Sequence, residues 1–351
     1  MKQRFDELKR STWELPSGRQ KLAVLEEMIR IADRYMTEEQ AYDARIGYLS
    51  EASEAGCQEK LLVIFAWCLA KFEQNPGDYS AHTLMWYYKW ALNSAWQIPE
   101  LTLAQVDSLF EDFREKCLRH GYSLRMYYMN KVNSLLSQGR LPEAAAAYKL
   151  WRTEPRDALA DCLACERHML GTYHIGIGHI RRGLQQLKPI LEGQMSCRHI
   201  PQQTYGHIIL PLLQLQEPER AHALARKALP RLDGPAYLPE LGAFLSFYTV
   251  TNLSKAEKLY RQTIHLGLES RAGWDRLHYL LAVRQFLREW HRKKRRKRLA
   301  ASDRVTIPWL DEQLALLAAA FDRRNGNDHI SRLITDADSR VNKLIKVYRQ
   351  R

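Results

Sequence analysis

An all-α chain of paired, stacked helices is the fold class this sequence predicts, and three observations predict it. Hydrophobic residues make up 46% of the 351 residues, enough for an extended core and too many for bulk disorder. Ala, Leu, Gln, Glu, Lys and Arg dominate long stretches, while runs of Val, Ile and Thr between tight-turn pairs are missing. A small or apolar residue recurs at Leu61, Val106, Ala144, Gly183, Ala221 and Ala256, at spacings of 45, 38, 39, 38 and 35. One helical pair cannot bury its apolar face alone, so repetition at such a period means stacking rather than a globular enzyme fold.

Each recurring position opens a helical face. Four residues further on come Phe65, Phe110, Tyr148, Leu187, Ala225 and Tyr260, and three beyond those Cys68, Phe113, Trp151, Ile190, Ala228 and Thr263. Residues at i, i+4 and i+7 share one side of a helix, which would pack on the partner helix. Thr37 to Gln40, Thr102 to Gln105 and Ser254 to Glu257 read as capping boxes. Pro142 and Pro218 stand where a first-turn proline is tolerated, and Pro189 should kink its helix. Asn75-Pro76-Gly77-Asp78 and Asp233-Gly234-Pro235 break the chain between units. The first 18 residues or so read as a frayed arm, and Arg19 to Tyr35 as an amphipathic capping helix. Trp274 to about Leu299, Pro308 to Phe321 and His329 to Tyr348 read as three closing helices. The expected organisation is an arm and cap over 1–36, repeats over 37–270, and C-terminal helices over 271–351 with a basic segment at 288–298.

The stretch Gln138-Gly139-Arg140-Leu141-Pro142-Glu143-Ala144, followed by Tyr148, Trp151 and Pro155, resembles the second helix of a tetratricopeptide repeat, and Leu170-Gly171 keeps that family's first-helix pair. The family unit is about 34 residues, so these units would carry longer loops or helices. The resemblance implies a right-handed α-solenoid, capped at both ends, whose first helices line a concave surface. An irregular all-helical array of another kind is the competing reading.

The polar start Met1-Lys2-Gln3-Arg4-Phe5-Asp6-Glu7 argues against a signal peptide, and the longest apolar run, Leu61 to Ala70, is half of the roughly 20 residues a membrane span needs. A cytoplasmic protein is the expectation. Six cysteines spread over so long a chain do not read as a secreted disulfide framework.

Asp161-Cys162-Leu163-Ala164-Cys165-Glu166 sets two thiols three apart at the start of a first helix, and Cys197 and His199 come in the loop before the next. A period of about 38 lays these segments side by side, so Cys162, Cys165, Cys197 and His199 would hold zinc tetrahedrally, with His168 and His207 as rivals for the fourth position. The alternatives are three small thiols filling a seam between repeats, or a redox pair. This Cys-x-x-Cys-Glu, later Cys, later Pro201 pattern is similar to a group of uncharacterised bacterial repeat proteins over roughly residues 140 to 230. That likeness implies no activity.

The formal net charge is +13, and from Arg288 to Arg298 eight Arg or Lys stand against one Glu, a net +7 in eleven residues. Arg292, Lys293, Lys294, Arg295, Arg296, Lys297 and Arg298 would meet phosphates or an acidic protein, or simply form a solvated helix end. Aromatic residues cluster over Met85 to Trp90 and Tyr122 to Tyr128, both on predicted first helices. Trp86, Tyr87, Trp90, Tyr127 and Tyr128 would line the concave groove, with Arg125 and Lys131 holding acidic groups of a ligand.

Catalytic patterns are weak. Gly176-Ile177-Gly178 lacks the third glycine of a dinucleotide loop, no phosphate-binding Gly-x-x-x-x-Gly-Lys run or His-Glu-x-x-His occurs, and the twelve histidines are scattered. The leading expectation is a non-enzymatic scaffold binding a peptide or partner helix, without a required cofactor. The alternative is a nucleic-acid-binding regulator that uses 288–298, with the repeats as sensor. It is similar to peptide-sensing bacterial regulators, although the first 60 residues carry no clear helix-turn-helix.

Overall fold

A computed structural model of the chain describes residues 1–293, 299 and 304–349. Among them the regular elements are helices, and there is no strand. The chain divides into two compact units. Unit 1 comprises Met1–Ala160 with Gly234–Ala236, and unit 2 comprises Asp161–Asp233 with Tyr237–Arg351.

Unit 1 contains α1 (Lys2–Glu14), α2 (Arg19–Tyr35), α3 (Glu38–Glu54), α4 (Gln58–Gln74), α5 (Ala81–Ala95), α6 (Leu103–Arg119), α7 (Arg125–Ser137) and α8 (Leu141–Thr153). Helices α3/α4, α5/α6 and α7/α8 pack as pairs, and the first helices α3, α5 and α7 touch in succession. Thr37 and Thr102 each complete a reciprocal capping box with Gln40 and Gln105, so two orphan amides at each helix start are satisfied. The first residues are not a frayed arm: they form α1, because Phe5 and Leu8, one turn apart, bury themselves against α2.

Unit 2 contains α9 (Leu163–Gly176), α10 (Ile180–Leu191), α11 (Gln202–Gln214), α12 (Pro218–Ala228), α13 (Leu238–Thr251), α14 (Leu253–Glu269), α15 (Gly273–Lys293), α16 (Ile307–Asn325) and α17 (His329–Arg349). Helices α9/α10, α11/α12 and α13/α14 pair, and α9, α11, α13 and α15 form a row of touching first helices. Helix α14 begins earlier than Ser254. Asn252 is its cap and accepts the Lys255 N–H at 3.0 Å, which draws Leu253 onto the core. Pro189 lies in the last turn of α10, where the helix ends two residues later.

The recurring positions form the seams. Leu61, Val106, Ala144, Gly183, Ala221 and Ala256 are all buried, as are their partners four and seven residues on, Tyr148 alone being half-buried. Ring size varies against slot size. In unit 1, Tyr88 lies 4.7 Å from Phe65 and 5.1 Å from Phe113 by ring centroid. In unit 2, Gly183 brings α10 so close to α9 that an added Cβ would stand 2.7 Å from the Gly171 carbonyl oxygen. At Gly171 the same atom would meet Leu187 Cγ at 2.2 Å. The closing helices are tied by charge: Arg284, buried in α15, pairs with Asp311 of α16 at 3.0 Å and Asp338 of α17 at 2.7 Å. No helix among the described residues is long and apolar enough to cross a membrane.

Candidate functional site

The sharpest constellation is built from sulfur. Cys162 is the N-cap of α9: its backbone is extended, and its sulfur accepts the Cys165 N–H at 3.4 Å. Cys197 lies in the loop between α10 and α11, where its N–H donates to the Ile200 carbonyl at 2.9 Å and closes a turn just before Pro201. That turn sets Cys197 Sγ 3.3 Å from Cys165 Sγ, and all three sulfurs lie within 4.8 Å of one another. They are free thiols. Burial, together with the neighbouring Cys197 and Cys162 thiols, pushes the Cys165 thiol up. Such a group sheds its proton when a cation arrives to offset the charge.

The histidine expected among the sulfurs is turned away. His199 Nδ1 lies 3.2 Å from the Tyr237 hydroxyl. His168 Nδ1 is 2.9 Å from Thr204 Oγ1, and His207 packs its ring edge-on to His168 at 5.3 Å. Among the described residues, no histidine or carboxylate joins the sulfur group at its spacing.

In unit 1, Trp86, Tyr87, Trp90 and Tyr128 are half-buried on the touching helices α5 and α7. Tyr87 and Trp90 meet edge to face at 5.1 Å, and the Lys89 ammonium stands 3.4 Å over the Trp86 ring while donating to the Leu159 carbonyl at 2.7 Å. Tyr127 is instead buried, with its hydroxyl donating to Glu111 at 2.7 Å. Arg125 is also buried, and donates to the Trp151 and Glu154 carbonyls at 3.3 and 2.6 Å. It therefore closes the C-terminus of α8, whose last carbonyls would otherwise be unpaired. Lys131 pairs with Asp107 at 2.7 Å above the Phe110 ring.

Arg292 and Lys293 are exposed at the end of α15, and Arg292 bonds Glu289 through two nitrogens at 2.8 and 2.6 Å. Lys294, Arg295, Arg296, Lys297 and Arg298 lie outside the described residues.

A second row of ionisable groups crosses the first helices of unit 2: His168 on α9, His207 on α11, Glu240 on α13, and Asp275 and His278 on α15. Glu240 lies against Gly206, where an added Cβ would stand 2.6 Å from its Cγ, and its Oε2 is buried without a hydrogen-bond partner. His207 is exposed to solvent, yet the protein packed around the rest of its ring lowers its pKa. Burial likewise lowers His168 to about 3 and His278 to about 4, and His207 adds to both shifts. It raises Glu240 to about 8 and Asp275 to about 7. No motif announces this row, but His168, His207, Glu240 and His278 are 39, 33 and 38 residues apart. The repeat period was the signal that could have found it.

Compared with known family models, curated proteins and solved structures, the chain matches none.

Proposed function

We propose that the chain is a non-enzymatic binding scaffold whose first-helix face in unit 1 takes an extended peptide or a partner's helix. The supporting observation is the set of half-buried rings on two touching helices, with Trp86, Tyr87 and Trp90 on α5 and Tyr128 on α7, Tyr87 and Trp90 in edge-to-face contact. Large rings with one face packed and one face open lose little freedom on binding and bring much area, which is why Trp and Tyr anchor interfaces. In this reading the pairs form a tetratricopeptide-like right-handed array, with α5 and α7 on its concave side. Tyr127 and Arg125 support the surface from beneath, and Lys131, steadied by Asp107, stands at its edge.

The test is selection from a displayed peptide library, followed by titration against Trp86→Ala and Tyr128→Ala. Each truncation should weaken the selected peptides about 10- to 100-fold, the range for anchor residues. The circular dichroism spectrum should stay unchanged. Peptides that bind both variants as tightly as the parent would overturn the reading. The charge of 288–298 keeps a nucleic-acid regulator as the alternative: retention on a nucleic-acid column that falls with salt, and vanishes when residues 292–298 are neutralised, would put it ahead.

A further inference from the structure

We propose that Cys162, Cys165 and Cys197 bind one thiophilic divalent ion, zinc under reducing conditions, through three thiolates, with the fourth position left to an exchangeable ligand from outside the chain. This site lies in unit 2 and stands or falls separately from the binding face of unit 1.

The spacing fits a metal better than it fits a bond or a plug. Sulfurs bound to tetrahedral zinc at about 2.3 Å lie roughly 3.8 Å from one another. Here Cys165 and Cys197 are 3.3 Å apart and all three sulfurs lie within 4.8 Å of one another. A disulfide needs about 2.05 Å and uses only two of three sulfurs. Thiols that merely fill a seam are sealed, as Cys68 and Cys117 are in unit 1, each 0% exposed. Cys162 is exposed, while Cys165 and Cys197 are each half-buried. The backbone that presents them is already set: one sulfur by the N-cap of α9, one by the first turn after it, and one by the Cys197–Ile200 turn.

Soft thiolates select zinc over magnesium or calcium, and three of them with a free vertex make an open site rather than a closed structural one. Binding releases the three S–H protons to buffer and leaves the centre with one net negative charge, with no electron transferred. The ion would join the start of α9 to the loop that precedes α11. Neither ring nitrogen of His199 lies within the spacing of the three sulfurs, so the fourth position is not supplied by it in this arrangement.

The experiment loads the full chain, reduced and freed of metal, with cobalt(II) and reads the thiolate-to-cobalt absorption. One equivalent should bind. Cys162→Ser, Cys165→Ser and Cys197→Ser should each lose most of the absorption, and His199→Ala should keep it. Adding a small thiol should shift the visible bands as it occupies the free vertex, and zinc should displace the cobalt one for one. Should a cysteine variant fail to fold, alkylation of the parent protein decides instead: zinc should protect these three thiols from modification, with Cys57 as the unprotected comparison. Absence of stoichiometric cobalt or zinc, or unprotected thiols, would overturn the site. Bands indifferent to added thiol and abolished in His199→Ala would overturn the open position in favour of a closed three-cysteine, one-histidine centre.

Discussion

In unit 1 two buried charges meet opposite charges. Arg45 grips both oxygens of Asp33 at 2.7 and 2.9 Å beneath the Trp67 ring, and Lys116 lies between Asp112 and Glu73. In the first-helix row of unit 2, by contrast, burial works against the charge itself, lowering the pKa of His168 and His278 and raising those of Glu240 and Asp275. Both devices keep polar groups inside a helical stack, but they respond to different insults. A paired charge fails when its partner is removed, whereas a neutralised group fails when the pH moves.

The largest effect should come from breaking a pair. Asp112 accepts hydrogen bonds from both the Tyr88 hydroxyl and the Lys116 ammonium, two groups sealed inside unit 1. Asp112→Ala should cost about 3 kcal/mol, the low end for an orphaned buried charge, because Glu73 still reaches Lys116. Urea unfolding followed by circular dichroism would read it, and a loss below about 1 kcal/mol would place this pair with ordinary surface bridges.

Packing sharpens the contrast. The same repeat slot holds Ala144 in unit 1 and Gly183 in unit 2. Gly183→Ala should destabilise by about 2 kcal/mol, since the new methyl must push against the Gly171 carbonyl rather than a flexible side chain. Ala144→Gly should cost about 1 kcal/mol, chiefly in helix propensity. Paired melting curves would show whether the two slots differ in this order.

The smallest effect is the most diagnostic. The three histidines have folded pKa values below the ordinary 6.5, so the unfolded chain binds more protons and their contribution is lost as pH falls below about 6.5. The two carboxyls have raised values, so the native state holds their protons and stability falls as pH rises: for Asp275 up to about 7, for Glu240 up to about 8. The row should therefore contribute most near pH 6.5. Between pH 7 and 8 most of the remaining decline belongs to Glu240, about 1 kcal/mol, with a smaller share from Asp275. Glu240→Gln should flatten that limb in a pH series of thermal melts, and an unchanged slope would show that Glu240 is already ionised.

The repeat seams were legible because helical period and burial are one constraint seen twice: Leu61, Val106, Ala144, Ala221 and Ala256 had to be inside for any stack to close. The three cysteines were legible by the same arithmetic. What the period does not give is the direction of a single side chain. Tyr127 and Tyr128 are consecutive, yet only Tyr127 is buried, and His199 is two residues from Cys197 yet faces Tyr237. Arg125 looked like a ligand-holding cation because the unpaired carbonyls at the end of α8, its actual partners, leave no mark in composition. At the N-terminus, a polar sequence with few apolar residues read as loose, although Phe5 and Leu8 suffice to seat a helix.

The Tyr348 hydroxyl lies 3.5 Å from the Leu213 carbonyl, and α17 packs on α13 and α15. An ideal repeat array touches only its neighbours and can finish one layer at a time. Here the chain must travel 135 residues before α11 receives that neighbour. On a ribosome, unit 1 can therefore complete itself while synthesis continues, whereas the middle of unit 2 waits, partly uncovered, for some of the last residues to emerge.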